Sequence, residues 1–164
     1  MIDATTVERP ALPASIQNKL ELDDPRFLPM GDLITARKDT GYDADEIRAL
    51  IQLGYLIGFN IAVSLEGKSE LRILSKSIEH FKTFKTPRVC EMPWPKIFKQ
   101  IIPHQKPFVT GKDVQRGLNC DRGHVENLVL AQHLKALKKS APGPGGSWTL
   151  DRASFETFLK GRLQ

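Results

Sequence analysis

NCDRGHVENLVLAQHL, Asn119 to Leu134, and GYDADEIRALIQLGYL, Gly41 to Leu56, share one pattern. Asp43 stands where Asp121 stands, Ile47 where Val125, Leu50 where Leu128, Ile51 where Val129 and Leu56 where Leu134, all at an offset of 78. After a polar interruption the match resumes, RILSKSIEHF (Arg72 to Phe81) against TLDRASFETF (Thr149 to Phe158), and the offset moves only to 77. Ile73 then pairs with Leu150, Ile78 with Phe155 and Phe81 with Phe158. Upstream the match is looser, with Pro13 against Pro93 and Gly31 against Gly111 at an offset of 80. Such a repeat divides the 164 residues into two units of about 75.

Each copy reads as a short helix, a tight turn, a second helix, a β-hairpin and a closing helix. In the second copy Thr110 caps a helix through Lys112 to Leu118 that buries Val114 and Leu118. Asn119 tolerates the turn and Asp121 caps the next helix, which runs to about His133. That helix sets Val125, Leu128, Val129 and Leu134 on one buried stripe, with Arg122, His124, Glu126 and Asn127 largely outside it. Ala136 and Leu137 open a strand, and Trp148 and Leu150 lie on its return. Between them KKSAPGPGGS holds too much proline and glycine for a helix. Asp151 caps the last helix, whose Phe155, Phe158 and Leu159 pack back.

In the first copy Phe59, Ile61, Val63 and Leu65 alternate with polar or small residues, as in a half-buried strand. Glu66-Gly67-Lys68 supplies the turn, Leu71 and Ile73 resume the alternation, and Ser75 caps a helix that buries Ile78 and Phe81. The expected fold is therefore α+β and mostly helical, two winged helix-turn-helix domains in tandem through an internal duplication. The expected boundaries are residues 1–83 for an acidic N-terminal domain, 84–94 for a linker and 95–164 for a basic C-terminal domain. KTFKTPRVCEMPWP, residues 82–95, reads as an extended linker with apolar anchors. Trp94, Ile97, Phe98, Ile101 and Ile102 form a small helix packing on the second domain, and PALPASIQNKLEL near the start holds another with Ile16 and Leu20 on one side.

Charge separates the copies. The chain has a net charge of +5, yet residues 1–30 and residues 31–81 each carry −2. Residues 82–94 carry +2, and residues 95–164, with twelve basic and five acidic side chains, carry +7. An asymmetry of this kind directs the second half to a polyanion. Hydrophobic residues at 40% and charged residues at 26% exclude a disordered tail. The longest apolar stretch, LIQLGYLIGFNIAV from Leu50 to Val63, is short for a membrane span and carries Gln52 and Asn60, so no membrane association is expected. MIDATTVERP has neither a basic nor an apolar signal region, and two cysteines, Cys90 and Cys120, make no disulfide framework; a cytoplasmic setting is expected.

VTGKDVQRGLNCDRGHVENLVLAQHLKAL (Val109 to Leu137), followed by a hairpin and WTLDRASFETFL (Trp148 to Leu159), resembles the excisionase and MerR-type winged helix domains. Val114, Leu118, Val125, Leu128, Leu134, Trp148, Leu150, Phe155 and Phe158 match the core positions of that family. ITARKDTGYDADEIRALIQLGYLIGFNIA (Ile34 to Ala62) and RILSKSIEHF match similarly, with Gly54, Leu56 and Ile73 fitting well. The resemblance implies a second helix in the DNA major groove and a wing tip on phosphate or minor groove. It carries DNA contacts over to Arg122, His124, Glu126 and Asn127, to Lys138 and Lys139, and to the tip from Gly143 to Ser147. The side chains suit that role, since Asn127 matches adenine and Arg122 matches guanine or phosphate. Lys112, Arg116, Lys135, Lys138 and Lys139 can neutralise the backbone. Gly123 departs from the pattern, because glycine inside a helix costs up to about 1 kcal/mol. The first copy departs further: Asp43, Asp45 and Glu46 open its second helix where phosphates would lie, leaving Arg48, Lys68 and Lys76 as secondary DNA contacts. That copy is read as a degenerate DNA reader or a module for self-association or a protein partner.

The expected function is sequence-specific binding of double-stranded DNA, by an excisionase-like architectural factor in DNA recombination or by a regulator of transcription. The rival is a non-enzymatic protein-interaction platform built on duplicated winged domains; a replication-initiator-like factor gripping adjacent half-sites is a third reading. No enzyme, cofactor or metal site is expected. His80, His104, His124 and His133 show no metal-ligand spacing with Cys90 or Cys120, and Cys120 with His124 alone makes too few ligands. The GPGG at Gly143 to Gly146 lacks the Lys-Ser/Thr of a phosphate loop.

Overall fold

The structure is a computed structural model that describes residues 28–84, 92–139 and 147–164. The chain is α+β, with seven helices and two three-stranded antiparallel sheets among the described residues. The first unit runs β1 (Met30–Asp32), α1 (Leu33–Thr40), α2 (Ala44–Gln52), β2 (Gly58–Asn60), β3 (Leu71–Leu74) and α3 (Ser75–Phe84). A connecting helix follows, α4 (Trp94–Ile101), and then the second unit: β4 (Phe108–Thr110), α5 (Gly111–Leu118), α6 (Arg122–Leu130), β5 (Ala136–Lys139), β6 (Trp148–Asp151) and α7 (Arg152–Arg162). The order of elements is the same in both units, and so is the sheet order, β1-β3-β2 against β4-β6-β5.

Local chemistry explains why both units take this path. Asp32 and Thr110 cap the first helices, with side chains accepting from Thr35 N and Asp113 N. Asp43 and Asp121 cap the second helices by accepting from Glu46 N and His124 N. The left-handed backbone recurs at matched positions, Gly41 (φ 78°) with Asn119 (φ 51°) and Gly54 (φ 92°) with Gln132 (φ 65°). The first pair ends α1 and α5, where Gly and Asn tolerate that conformation. The turn after the second helix is closed alike in each unit, by Tyr55 N on Leu50 O (2.8 Å) and by His133 N on Leu128 O (3.0 Å). The matched apolar pairs Ile47/Val125, Leu56/Leu134, Ile73/Leu150 and Ile78/Phe155 are all buried.

The structure corrects several expectations. Each unit begins with a strand that periodicity missed, because three residues are too few to show an alternation. Strand register sets Gly31 opposite Ile73 and Val109 opposite Leu150, so Gly31 corresponds to Val109, not Gly111. The strand expected over Phe59 to Leu65 stops at Asn60, whose buried Oδ1 accepts from Ala62 N (3.1 Å) and Glu70 N (3.0 Å) and folds the chain into a turn. Helix α6 ends at Leu130, not near His133, since Gln132 takes a positive φ. Leu134 is buried from the loop that follows. Ser75 lies inside α3, its hydroxyl donating to Leu28 O at 2.6 Å instead of capping. Of the expected linker, Lys82 to Phe84 belong to α3 and Trp94 and Pro95 to α4; residues 85–91 lie outside the described residues, as does the expected N-terminal helix around Ile16.

Packing joins the units. One apolar cluster is made of Ala36, Ile47, Ile51, Leu56, Ile73, Ile78 and Phe81 of the first unit. The other takes Met30, Ile57, Phe59, Ile61 and Leu74 from the first unit together with Val109, Leu128, Phe155 and their neighbours from the second. Helix α4 belongs to this shared cluster: Ile97, Phe98, Ile101 and Ile102 are buried in it, and Trp94 meets Phe59 edge-on at 6.3 Å. Each such apolar side chain contributes about 1.5–3 kcal/mol when fully buried.

Candidate nucleic-acid interface

Helix α6 was expected to carry the base contacts, and its surroundings decide which of its residues are available. Its buried stripe, Val125 and Leu128, faces the core, and Asp121 holds its N-terminus through His124 N at 2.8 Å. On the opposite face Arg122 and Asn127 are exposed and Glu126 is partly so. Arg122 Nε stands 3.3 Å from Glu126 Oε1, one turn along.

His124 is placed elsewhere. Its Nε2 donates to the Ile61 carbonyl at 2.7 Å, its Nδ1 lies 3.4 Å from Glu70 Oε2, and its side chain is only 13% exposed. The imidazole is held by the loop that follows β2 of the first unit, which removes it from the outward face. His133 repeats the contact: its Nε2 donates to Val63 O at 2.7 Å. Because that nitrogen is the donor, the guanidinium of Arg162 at 3.5 Å makes no hydrogen bond to it.

Two arginines complete the junction. Arg162, buried at the end of α7, donates from Nη1 to Ala62 O (2.6 Å) and Asn60 O (3.1 Å), and its guanidinium lies 4.8 Å from the Phe158 ring centre. Burial lowers its pKa, and among the described residues carbonyl dipoles and the ring face its charge without a carboxylate. Arg72 of β3 crosses the other way, with Nε donating to Leu118 O (3.0 Å) and Asn119 O (3.1 Å) in the α5–α6 turn. Glu70 Oε1 accepts from Arg72 Nη2 at 3.1 Å. The C-terminus adds a β-bridge, Leu163 beside Phe59, and Gln164 N donates to Gly58 O at 2.9 Å.

The remaining cations spread over the second unit. Lys112 is exposed on α5 and Arg116 half-buried on the same helix, while Lys135 and Lys138 are exposed at and along the edge strand β5. Lys139 lies over the Trp148 ring at 4.8 Å. Register shifts between Ala136 and Lys138, a bulge that leaves Leu137 exposed. Ser147 is exposed just before β6; residues 140–146, with the expected tip from Gly143, lie outside the described residues.

On the first unit the expected secondary cations are mostly neutralised. Arg48 pairs with Asp45 at 3.6 Å and Lys76 with Glu79 at 3.2 Å, while Lys68 is exposed in the β2–β3 loop. The carboxylates of α2 have a local use. Asp43 and Glu46 form a reciprocal capping box, and the hydrogen bond from Glu46 N holds the Asp43 carboxyl below its ordinary pKa.

Sequence reasoning missed Glu70, Arg72, His133 and Arg162. Only Arg162 carried a signal, as a charged residue three and four positions after Leu159 and Phe158 on an apolar helical face. Among the described residues no three His, Cys, Asp or Glu side chains come together as a metal site requires, and no helix is long and apolar enough to cross a membrane. No protein-family model matches the chain, and neither curated proteins nor solved structures give a match.

Proposed function

We propose that the chain is a non-enzymatic, sequence-specific binder of double-stranded DNA, built as two winged helix-turn-helix units and acting as an excisionase-like architectural factor or a transcriptional regulator. In this reading α6 enters the major groove and the β5–β6 hairpin lies on the flanking backbone. The observation that carries it is the outward face of α6: Arg122 and Asn127 are exposed and Glu126 partly so, while their helix is capped and packed on its other side. Lys138 and Lys139 on the neighbouring edge strand, with Lys112 and Lys135, supply the positive charge that phosphate contact needs. His124 is left out of the reading set. The first unit braces α6 through its β2–β3 loop, and its own acid-capped α2 is not a second reader.

A second reading has one observation in its favour. The β2–β3 loop of the first unit already acts as a protein-docking element, toward the second unit, so the first unit suits a protein partner or a second copy better than DNA.

The test is fluorescence anisotropy of the full chain on mixed-sequence duplex. Four phosphate-neutralising lysines give a salt slope of about −3 to −4, or a loss of about a hundredfold from roughly 50 to 200 mM salt. Arg122→Ala with Lys138→Ala should weaken binding and lower that slope. Affinity that stays flat with salt, or that ignores the double variant, sinks the proposal.

A further inference from the structure

The outward face of α6 holds one residue that a polar DNA-reading surface does not explain. Leu130 is 79% exposed, the most exposed large hydrophobic residue among those described. It lies four residues beyond Glu126 and eight beyond Arg122, so the three occupy one line along the helix. The Arg122–Glu126 pair at 3.3 Å fixes the polar end of that line. The leucine forms its apolar end. The opposite face of α6 is closed by Val125, Leu128 and the loop bonded to His124, and among the described residues Leu130 remains open on the outward side. Leu137, the exposed leucine of the neighbouring hairpin, sits at the β5 bulge and outside this line.

We infer that Leu130 is a specificity-determining residue that packs on the 5-methyl group of a thymine in the major groove. This rests on the DNA-binding reading above and names what that surface would prefer. The methyl is the one apolar group that base edges present in the major groove, and an aliphatic side chain in line with an arginine and a carboxylate is suited to find it. Arg122 would take guanine and Glu126 the amino group of cytosine along the same line. A protein partner suits the place less well, because a stable interface buries about 800 Å² per partner and a single leucine in line with Arg122 and Glu126 supplies little apolar area.

The experiment starts with selection of a preferred duplex from a random-sequence library by the full chain. Each thymine in that duplex is then replaced, one at a time, by deoxyuridine, which lacks only the methyl. One position should weaken wild-type binding about fourfold, the factor that burial of one methyl-sized group is worth. Leu130→Ala should bind the unsubstituted duplex about that much more weakly and lose its response at that position, with far-UV circular dichroism unchanged. If the selected duplex binds but no deoxyuridine matters, or if the variant keeps the wild-type response, the thymine contact is wrong while DNA binding stands. Failure to enrich any duplex overturns both. A sedimentation change on Leu130→Ala together with an unaltered deoxyuridine response would assign the side chain to a protein contact and overturn the inference.

Discussion

Replacing Arg162 by Met tests how the two units are held together. The guanidinium is buried and donates to the Asn60 and Ala62 carbonyls at 3.1 and 2.6 Å, with no carboxylate partner among the described residues. Methionine keeps most of the aliphatic stem and its contact with Phe158 but leaves both carbonyls without that donor. Each charge-assisted bond contributes about 1.5–3 kcal/mol, and orphaning a buried acceptor costs about 1–3 kcal/mol. Relief from burying the charge returns part of this, so the expected net loss is about 3 kcal/mol. For a chain of this size that is a fall in Tm of about 6–12 °C. Urea unfolding followed by circular dichroism reads the change directly. Because Met30, Phe59 and Leu74 share a core with Phe155 and Leu128, wild type should unfold in one transition, and the variant should shift its midpoint without changing its slope. A loss below about 1 kcal/mol would refute the clamp assigned to Arg162. Two separated transitions in the wild type would refute the shared core.

Two glycines in the second unit should respond with opposite signs. A Cβ on Gly117 would stand 2.8 Å from Ile101 Cγ2 and 3.2 Å from the Ile101 carbonyl oxygen, so Gly117→Ala should cost about 1–3 kcal/mol in urea unfolding. Gly123, whose nearest neighbour is Asp121 Oδ1 at 3.5 Å, has room, and Gly123→Ala should stabilise by up to about 1 kcal/mol. Burial pushes the Asp113 carboxyl up, but hydrogen bonds from Thr110 N and His104 outweigh it and hold its pKa below the ordinary value. The stabilisation is then whole above about pH 4 and lost as pH falls through the folded value, so urea midpoints should drop more for wild type than for Asp113→Asn between about pH 5 and 3. Equal drops would remove Asp113 from the acid transition. Burial pushes the Cys120 thiol up to about 12, so in a Cys90→Ser background it should resist a disulfide reagent at pH 8, where about one part in ten thousand is thiolate, and react once unfolded. Rapid labelling of the native protein would show that the thiol is not buried as described.

Much of the local structure was written in the chain because its causes are local. Asp43 and Asp121 cap helices wherever the chain goes, Gly41 and Asn119 accept a left-handed turn, and the spacing of Val125, Leu128, Phe155 and Phe158 marks a helical face to be buried. These signals sufficed for the order of helices and hairpins and for a repeat at an offset of 78. They also picked out Arg122, Glu126 and Asn127 as the outward residues of α6.

What covers each face was decided by pairs far apart in the chain. His124 reads as an outward residue of a short helix, yet its partner Ile61 lies 63 residues away. Val63 is 70 residues from His133, and Ala62 is 100 residues from Arg162. Helical periodicity reports only whether a face is apolar, so a polar side chain that meets a distant carbonyl looks the same as one that meets water. The alternation from Phe59 to Leu65 failed for the same reason, because Asn60 turns the chain and the second unit covers both Ile61 and Ala62. From sequence alone came two similar units of opposite charge; only the tertiary fold joined them through one core and chose which face of α6 stays open.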